Sequence, residues 1–223
     1  MPRRLRLAAG GVVFHVLNRA VRQSVLFAHE GDYRAFQQTL WQATDFQRMR
    51  VLAYCVMPTH WHLVLRPWND GDLSQFMRWL TFTHTQRYHA AHGTGGTGPL
   101  YQGRFKSFPV ETDEHLMTVC RYVERNALRA GLVTRAEDWQ WSSLWQRLKG
   151  KPEIRGKLAD WPVDLPRNWT AWVNRPLTGK ELEAVRRSVS RGQPYGSRTW
   201  LERTVVRLRL ASTLRPRGRP RKA

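Results

Sequence analysis

The amino-acid sequence predicts an α+β fold, in which helices pack on an antiparallel sheet. Up to Gly131, strand and helix patterns follow one another in the order strand, helix, strand, strand, helix, strand, helix. Of the 223 residues, 41% are hydrophobic, which is enough for a sizeable core. Beyond Gly131 the patterns change to short helices and loops, which predicts a basic helical C-terminal extension.

Strands are predicted from β-branched and aromatic residues, and helices from apolar residues at helical spacing. The strands are residues 11–18, 50–57, 60–66 and 104–110, and the second and third form a hairpin across Pro58. The helices are residues 32–46, 72–91 and a third that Thr112 or Asp113 caps and that continues to 130. Asp72 caps the second helix at the capping-box spacing from Gln75. The glycine-rich residues 92–99 form a plain linker or, alternatively, a mobile lid.

The chain is predicted to divide into a domain at 1–147, a helical extension at 148–214 and a basic tail at 215–223. A short helix is expected at 139–145, and further helices at 178–191 and 199–210. The tail is too polar, and too rich in Pro and Gly, to fold alone.

The charge of the chain points to a polyanionic partner. Its 37 lysines and arginines against 17 acidic residues give a formal net charge of +20 and a pI near 11.3. Nucleic acid is the partner that this excess favours. A membrane surface is the alternative, but no amphipathic basic helix stands apart, so we expect no membrane partner.

Cysteine usage and the N-terminal sequence favour a cytoplasmic protein, associated with the nucleoid. Cys55 and Cys120 do not form a CxxC pair, which argues against a cysteine zinc site. The basic residues at the N-terminus precede no long apolar segment, so we predict no secretory signal. No apolar run is long enough to span a bilayer.

Two histidines, His60 and His62, occupy alternate positions at the start of the third predicted strand. Alternate residues of a strand share a face, so the two imidazoles lie side by side while Trp61 faces the core. Paired imidazoles are a good start on a divalent metal site. The alternative is a pair of half-buried histidines without a metal.

A tyrosine and an asparagine lie one turn apart on the third predicted helix. Tyr122 and Asn126 therefore share a helix face. The phenol is a candidate nucleophile and the amide oxygen a candidate third metal ligand. The alternatives are a core tyrosine with its hydroxyl at the rim, and a polar residue near a helix end. Two histidines, an amide and a tyrosine would form a minimal site for transesterifying DNA.

Three motifs resemble the REP-associated tyrosine transposases, relatives of the single-tyrosine HUH transposases. They are Met-Pro-Thr-His-Trp-His-Leu-Val-Leu at 57–65, Tyr-Gln-Gly-Arg-Phe-Lys-Ser at 101–107 and Tyr-Val-Glu-Arg-Asn-Ala-Leu-Arg-Ala-Gly-Leu at 122–132. Phe-His-Val at 14–16 and Trp-Ser-Ser at 141–143 also look like that family. The resemblance covers residues 10–147 and, more weakly, 193–203.

The resemblance implies a ferredoxin-like HUH fold that binds Mg²⁺ or Mn²⁺ and cleaves single-stranded DNA beside the hairpin of a REP-like palindrome. It implies a 5′-phosphotyrosine intermediate and a free 3′-hydroxyl. By position, His60 and His62 look like the metal ligands and Tyr122 like the nucleophile, and Asn126 matches a polar residue that is glutamine in many relatives. Ala127 stands where many relatives have proline, so we expect a straighter helix end.

Basic and aromatic residues around these motifs form the predicted DNA-binding surface. The candidates for phosphate contacts are Arg104, Lys106, Arg121, Arg125 and Arg129. Tyr101 and Phe105 are candidates for stacking on bases. In the tail, Arg217 and Arg219 flank a glycine and are candidates for a minor groove, and a generic basic tail is the alternative.

The leading hypothesis is a metal-dependent DNA strand transferase that acts as a monomer or homodimer. One alternative is a non-catalytic protein that binds DNA hairpins. Another is a hydrolase that uses water and has no need of Tyr122.

Overall fold

The computed structural model of the protein describes residues 8–215. Its centre is an antiparallel sheet with strand order β2-β3-β1-β4. The strands are β1 (Val13–Arg19), β2 (Met49–Met57), β3 (His60–Pro67) and β4 (Lys106–Val110). This strand order, with a helix after β1 and another after β3, is the ferredoxin-like arrangement. The predicted α+β class and the β2–β3 hairpin are therefore confirmed.

The helices cover both faces of the sheet and continue past it. They are α1 (Glu30–Phe46), α2 (Asp72–His92), α3 (Glu114–Glu124), α4 (Asn126–Arg129), α5 (Ser143–Lys149), α6 (Pro152–Arg155), α7 (Trp169–Asn174), α8 (Gly179–Arg191) and α9 (Arg198–Arg207). In residues 8–215, no helix combines the length and the apolar character that crossing a membrane requires.

The sheet separates two hydrophobic cores because alternate strand residues face opposite sides. One core holds Trp61 and Leu63 of β3 together with Phe36 of α1 and Phe76 of α2. The other holds Val64 of β3 together with residues of α3, α5, α7 and α8. Trp61 is fully buried, which confirms its predicted position in the core.

Two helix ends differ from the sequence prediction. The N-cap of α2 is Gly71, whose φ of 86° suits glycine, and Asp72 begins the helix, its carboxylate accepting a hydrogen bond from the Asn69 backbone. The third helix does not run straight to residue 130. It ends at Glu124, and Arg125 (φ −81°, ψ −1°) separates it from α4. The expectation that Ala127 straightens this end was therefore wrong.

The predicted boundary between residues 147 and 148 lies inside α5, so it is not a structural boundary. The short helix predicted at 139–145 begins instead at Ser143, because the Ser142 hydroxyl caps it by accepting a hydrogen bond from the backbone N–H of Trp145. Leu158 forms a parallel bridge with Val51 of β2, and Tyr195 forms one with Val110 of β4. The extension therefore folds onto the α+β unit.

Candidate active site

The two histidines of β3 lie side by side, as predicted from their spacing. Their ring centroids are 5.0 Å apart, with the planes nearly perpendicular. His62 is almost completely buried between Leu17 of β1 and Cys55 of β2, and His60 is partly exposed at the strand end. The sheet therefore holds the buried ring firmly and leaves the other near solvent.

A third histidine, His15 of β1, supports this pair and was not among the predicted site residues. Its Nε2 lies 2.9 Å from His62 Nδ1, and the two rings stack at 5.0 Å. If His62 donates this hydrogen bond, its Nε2 keeps a lone pair for a metal ion. His15 Nδ1 has no hydrogen-bond partner among the described residues. The sequence signal for it was its place in the Phe14-His15-Val16 motif.

The donor atoms of the pair fit a divalent ion. His60 Nδ1 lies 3.0 Å from Thr59 Oγ1, so Nε2 is the nitrogen left for coordination here as well. Burial lowers the pKa of His60 to about 4 and the pKa of His62 well below its usual value, so both rings are neutral near neutral pH. Neutral imidazole is the form that binds metals.

Tyr122 lies against the histidines from the facing helix. Its ring meets His62 edge-on at 5.8 Å and His15 at 6.1 Å. The residue is 4% exposed. Helix α3 holds it there because Asp113 caps the helix N-terminus and Val119 and Val123 pack in the core beneath the sheet. The structure therefore brings the three predicted residues His60, His62 and Tyr122 together.

Asn126 is placed near Tyr122, but its oxygen already has a partner. Arg129 donates from Nη2 to Asn126 Oδ1 at 2.6 Å, and the Arg129 guanidinium lies 4.6 Å from the centre of the Tyr122 ring. A guanidinium at the amide oxygen would repel a divalent ion. In this geometry Asn126 positions Arg129, and its role as a metal ligand stays a prediction.

Tyr122 opens into a pocket of about 740 Å³ with basic walls. The cations that line it are Arg19, Arg104, Lys106, Arg129 and Arg186. Clustered positive charge in a cleft attracts polyanions and stabilises charge that develops on a phosphate. Arg186 comes from α8, in a part of the chain that carried no motif, and sequence reasoning missed it.

Two other predicted phosphate contacts face the protein. Arg121 is 6% exposed and donates to the backbone oxygen of Pro176 at 2.6 Å, which fastens the extension to α3. In this structure Arg121 has a structural role, and its DNA contact stays an untested prediction. Arg125 is half-buried, and burial, followed by the charges of Arg121 and Arg129, lowers its pKa.

The predicted stacking residues Tyr101 and Phe105 are buried. Tyr101 is 7% exposed, and its hydroxyl accepts from Trp61 Nε1 at 3.0 Å and lies 2.7 Å from His84 Nδ1. Phe105 is 9% exposed. Rings that already pack inside the protein offer little surface to a base, and the stacking role of these two residues stays a prediction. Arg217 and Arg219 lie outside the described residues.

A second group of potential metal ligands, Glu111, Asp113 and His115, lies around the N-terminus of α3. Each member has a structural partner. Glu111 accepts from the Ser197 backbone at 2.6 Å, and Asp113 accepts from the backbone and ring of His115. The group therefore joins the helix cap to the extension.

A tyrosine that lies against paired strand histidines and lines a basic pocket is an arrangement suited to chemistry on a phosphate. Residues 10–126, more than half of the chain, match the model of the IS200-like transposases. The protein belongs to this family.

A solved structure shares its fold. The structure of a REP-associated tyrosine transposase bound to a REP hairpin matches with a TM-score of 0.55 and 20% identity, over 74% of this chain and 94% of the other. A candidate transposase from Deinococcus radiodurans R1 matches with a TM-score of 0.39 and 15% identity, over 59% and 95%. No curated protein matches this sequence.

Proposed function

We propose that the protein is a metal-dependent endonuclease and strand transferase for single-stranded DNA, with Tyr122 as the nucleophile. The observation that carries the proposal is the position of the Tyr122 ring, 5.8 Å from His62 and inside the basic pocket. The substrate is a strand with a hairpin of the REP type, in line with the hairpin bound to the similar transposase.

His60 and His62 would hold Mg²⁺ or Mn²⁺ through their Nε2 atoms. When bound, such an ion polarises a phosphoryl oxygen and orients the phosphate for in-line attack. Oxygens of the DNA and of water would supply the remaining ligands, which are the kind that these two metals prefer. His15 fixes the orientation of the His62 ring.

The chain's own groups carry the transfer. The Tyr122 oxygen forms a bond to phosphorus as the bond from phosphorus to the 3′ oxygen breaks. The phenol proton passes to water, and the 3′ oxygen takes up a proton. Arg129 and Lys106 line the pocket and would stabilise the negative charge of the phosphate. Attack by a 3′-hydroxyl on the phosphotyrosine reverses these steps and joins strands.

A denaturing gel tests the proposal. Hairpin-bearing single-stranded DNA is incubated with the protein and Mn²⁺ or Mg²⁺, and a covalent protein–DNA band is expected. EDTA removes the band because the histidines then hold no ion. DNA binding without such a band, in the presence of metal, would favour a protein that only binds hairpins. Cleavage without a covalent band would favour attack by water.

A further inference from the structure

A groove lies along α2, on the opposite face of the sheet from Tyr122. One wall is a stripe of that helix, and the other is the segment at 99–105. The stripe consists of Ser74, Met77, Arg78, Thr81, Phe82 and Thr85, which recur at helical spacing. The groove has a volume of about 800 Å³, within the roughly 300–1,000 Å³ typical of ligand pockets.

The helix wall is apolar with a basic rim. Thr81 and Thr85 donate their hydroxyl hydrogens to backbone oxygens of α2, so these hydrogens are not offered to a ligand. Phe82 is 63% exposed. Arg78 and Arg104 lie among the lining residues. An aromatic ring beside cations is the combination that binds bases and phosphates of a single strand.

The groove is continuous with the Tyr122 pocket. Asn18, Gly103 and Arg104 line both cavities. They lie where the segment after residue 100 runs beside the end of β1, with Gln102 donating to the Arg19 backbone oxygen at 2.9 Å. A strand whose phosphate lies at Tyr122 can therefore pass over the end of β1 into the groove.

We propose that this groove binds unpaired bases of the DNA strand next to the phosphate at Tyr122, with Phe82 as the stacking surface. The inference rests on the proposed function and names a part of its substrate. Phosphates stay with Arg104 and Arg78 at the rim, and bases turn toward the apolar wall. Phe82 then takes the stacking role that the sequence assigned to the buried Tyr101.

Binding measurements test the groove in the Tyr122→Phe background, where no covalent step interferes. Three substrates share one hairpin stem. The first is blunt, the second has a 5′ oligothymidine tail and the third has a 3′ oligothymidine tail, each tail of about six nucleotides. Phe82→Ala should weaken binding to one tailed hairpin by roughly five- to 150-fold, as expected for one lost base stack, and leave the blunt hairpin unchanged. Phe46→Ala is the matched control, since Phe46 is 61% exposed and lies outside the groove.

A second variant is designed to block the junction between the groove and the Tyr122 pocket. A Cβ at Gly103 would meet no atom within 4 Å, so the backbone there accepts a side chain, and the indole of Gly103→Trp is chosen to occupy the junction of the two cavities. It should reduce binding of the same tailed hairpin and spare the blunt one. Equal losses on tailed and blunt hairpins, or no loss in either variant, would overturn the inference. Because binding is measured without cleavage, a protein that forms no covalent band still gives a clear answer about the groove.

Discussion

On the side that α1 and α2 cover, the strands bury Trp61, Leu63 and Val16 in a hydrophobic core. On the side that α3 covers, the same two strands bury His15 and His62. Trp61 and His62 are neighbours in the chain, so one strand supplies both the core and the site. The packed hydrophobic core on one face keeps the strands rigid. The rigid strands then hold the polar side chains of the other face in position.

Polar groups without partners are concentrated on the second face. His15 Nδ1, Asn126 Nδ2 and Arg125 Nη1 are buried around Tyr122 and make no hydrogen bond to any described residue. Buried polar atoms are normally hydrogen-bonded, so these three atoms have the capacity to bind a ligand or water at the site. In contrast, His84 on the first face has Tyr101 as its partner.

The largest expected effect is at Tyr122, where one substitution removes the proposed nucleophile and keeps the packing of the ring. Tyr122→Phe keeps the ring that packs against His62 and removes only the nucleophilic oxygen. We expect covalent adduct formation to fall by roughly 10⁴-fold or more, as when other nucleophiles are removed. The melting temperature should hardly change. An adduct formed by the Phe variant would assign the nucleophile to another residue.

The second prediction concerns the hydrophobic core on the side of the sheet that α1 and α2 cover. Trp61→Ala leaves a large cavity and removes the hydrogen bond to Tyr101, so the free energy of unfolding should fall by about 3–5 kcal/mol. Urea denaturation measures this loss. Trp68→Ala is the matched control, because Trp68 is 51% exposed and contacts Arg50 through a cation–π interaction worth about 1 kcal/mol or less. Similar losses in the two variants would contradict the assigned core.

The third prediction compares two buried histidines on opposite faces. His15→Leu removes the hydrogen bond that orients His62, and the Mn²⁺ dissociation constant should rise by about 10–100-fold. His84→Leu removes a buried histidine that contacts no site residue, and metal affinity should not change. Calorimetric titration without DNA measures both. Equal Mn²⁺ affinity in the two variants would mean that His15 does not support the metal site.

The smallest expected effect distinguishes a basic residue that lines the Tyr122 pocket from one that holds the extension to the fold. Lys106 is exposed in the Tyr122 pocket, so Lys106→Ala should reduce the slope of log affinity against log salt by about 0.7 for single-stranded DNA. Arg121→Ala should instead lower stability by roughly 1.5–3 kcal/mol, since Arg121 binds the backbone of the extension. An unchanged slope in the Lys106 variant would remove it from the DNA path.

The sequence predicted the features that depend on local spacing. The shared face of His60 and His62 follows from the two-residue period of a strand, and Tyr122 could be placed on a helix from its neighbours. The position of Trp61 followed from the same period.

The features that sequence reasoning missed depend on distant partners. Arg121 lies on the same helix as Tyr122. Only its hydrogen bond to Pro176, which is 55 residues away, shows that Arg121 faces the protein. Arg186 reaches the pocket from α8 through the packing of the extension. Asn126 has its own local partner, Arg129, but a residue pattern does not reveal which acceptor a guanidinium takes.

The bridges that the later chain makes with the sheet restrict how two copies can associate. Along the outer side of β2, the Val56 N–H donates to Trp141 and the Val51 oxygen accepts from Ala159. Along the outer side of β4, the Tyr195 N–H donates to the Pro109 oxygen, and the Tyr195 oxygen accepts from the Glu111 N–H. Both margins of the sheet are thus paired within one chain, and a strand from a second copy finds few backbone groups there to extend it. A second copy that extended either edge would have to displace these hydrogen bonds, which favours a sheet that stays four strands wide.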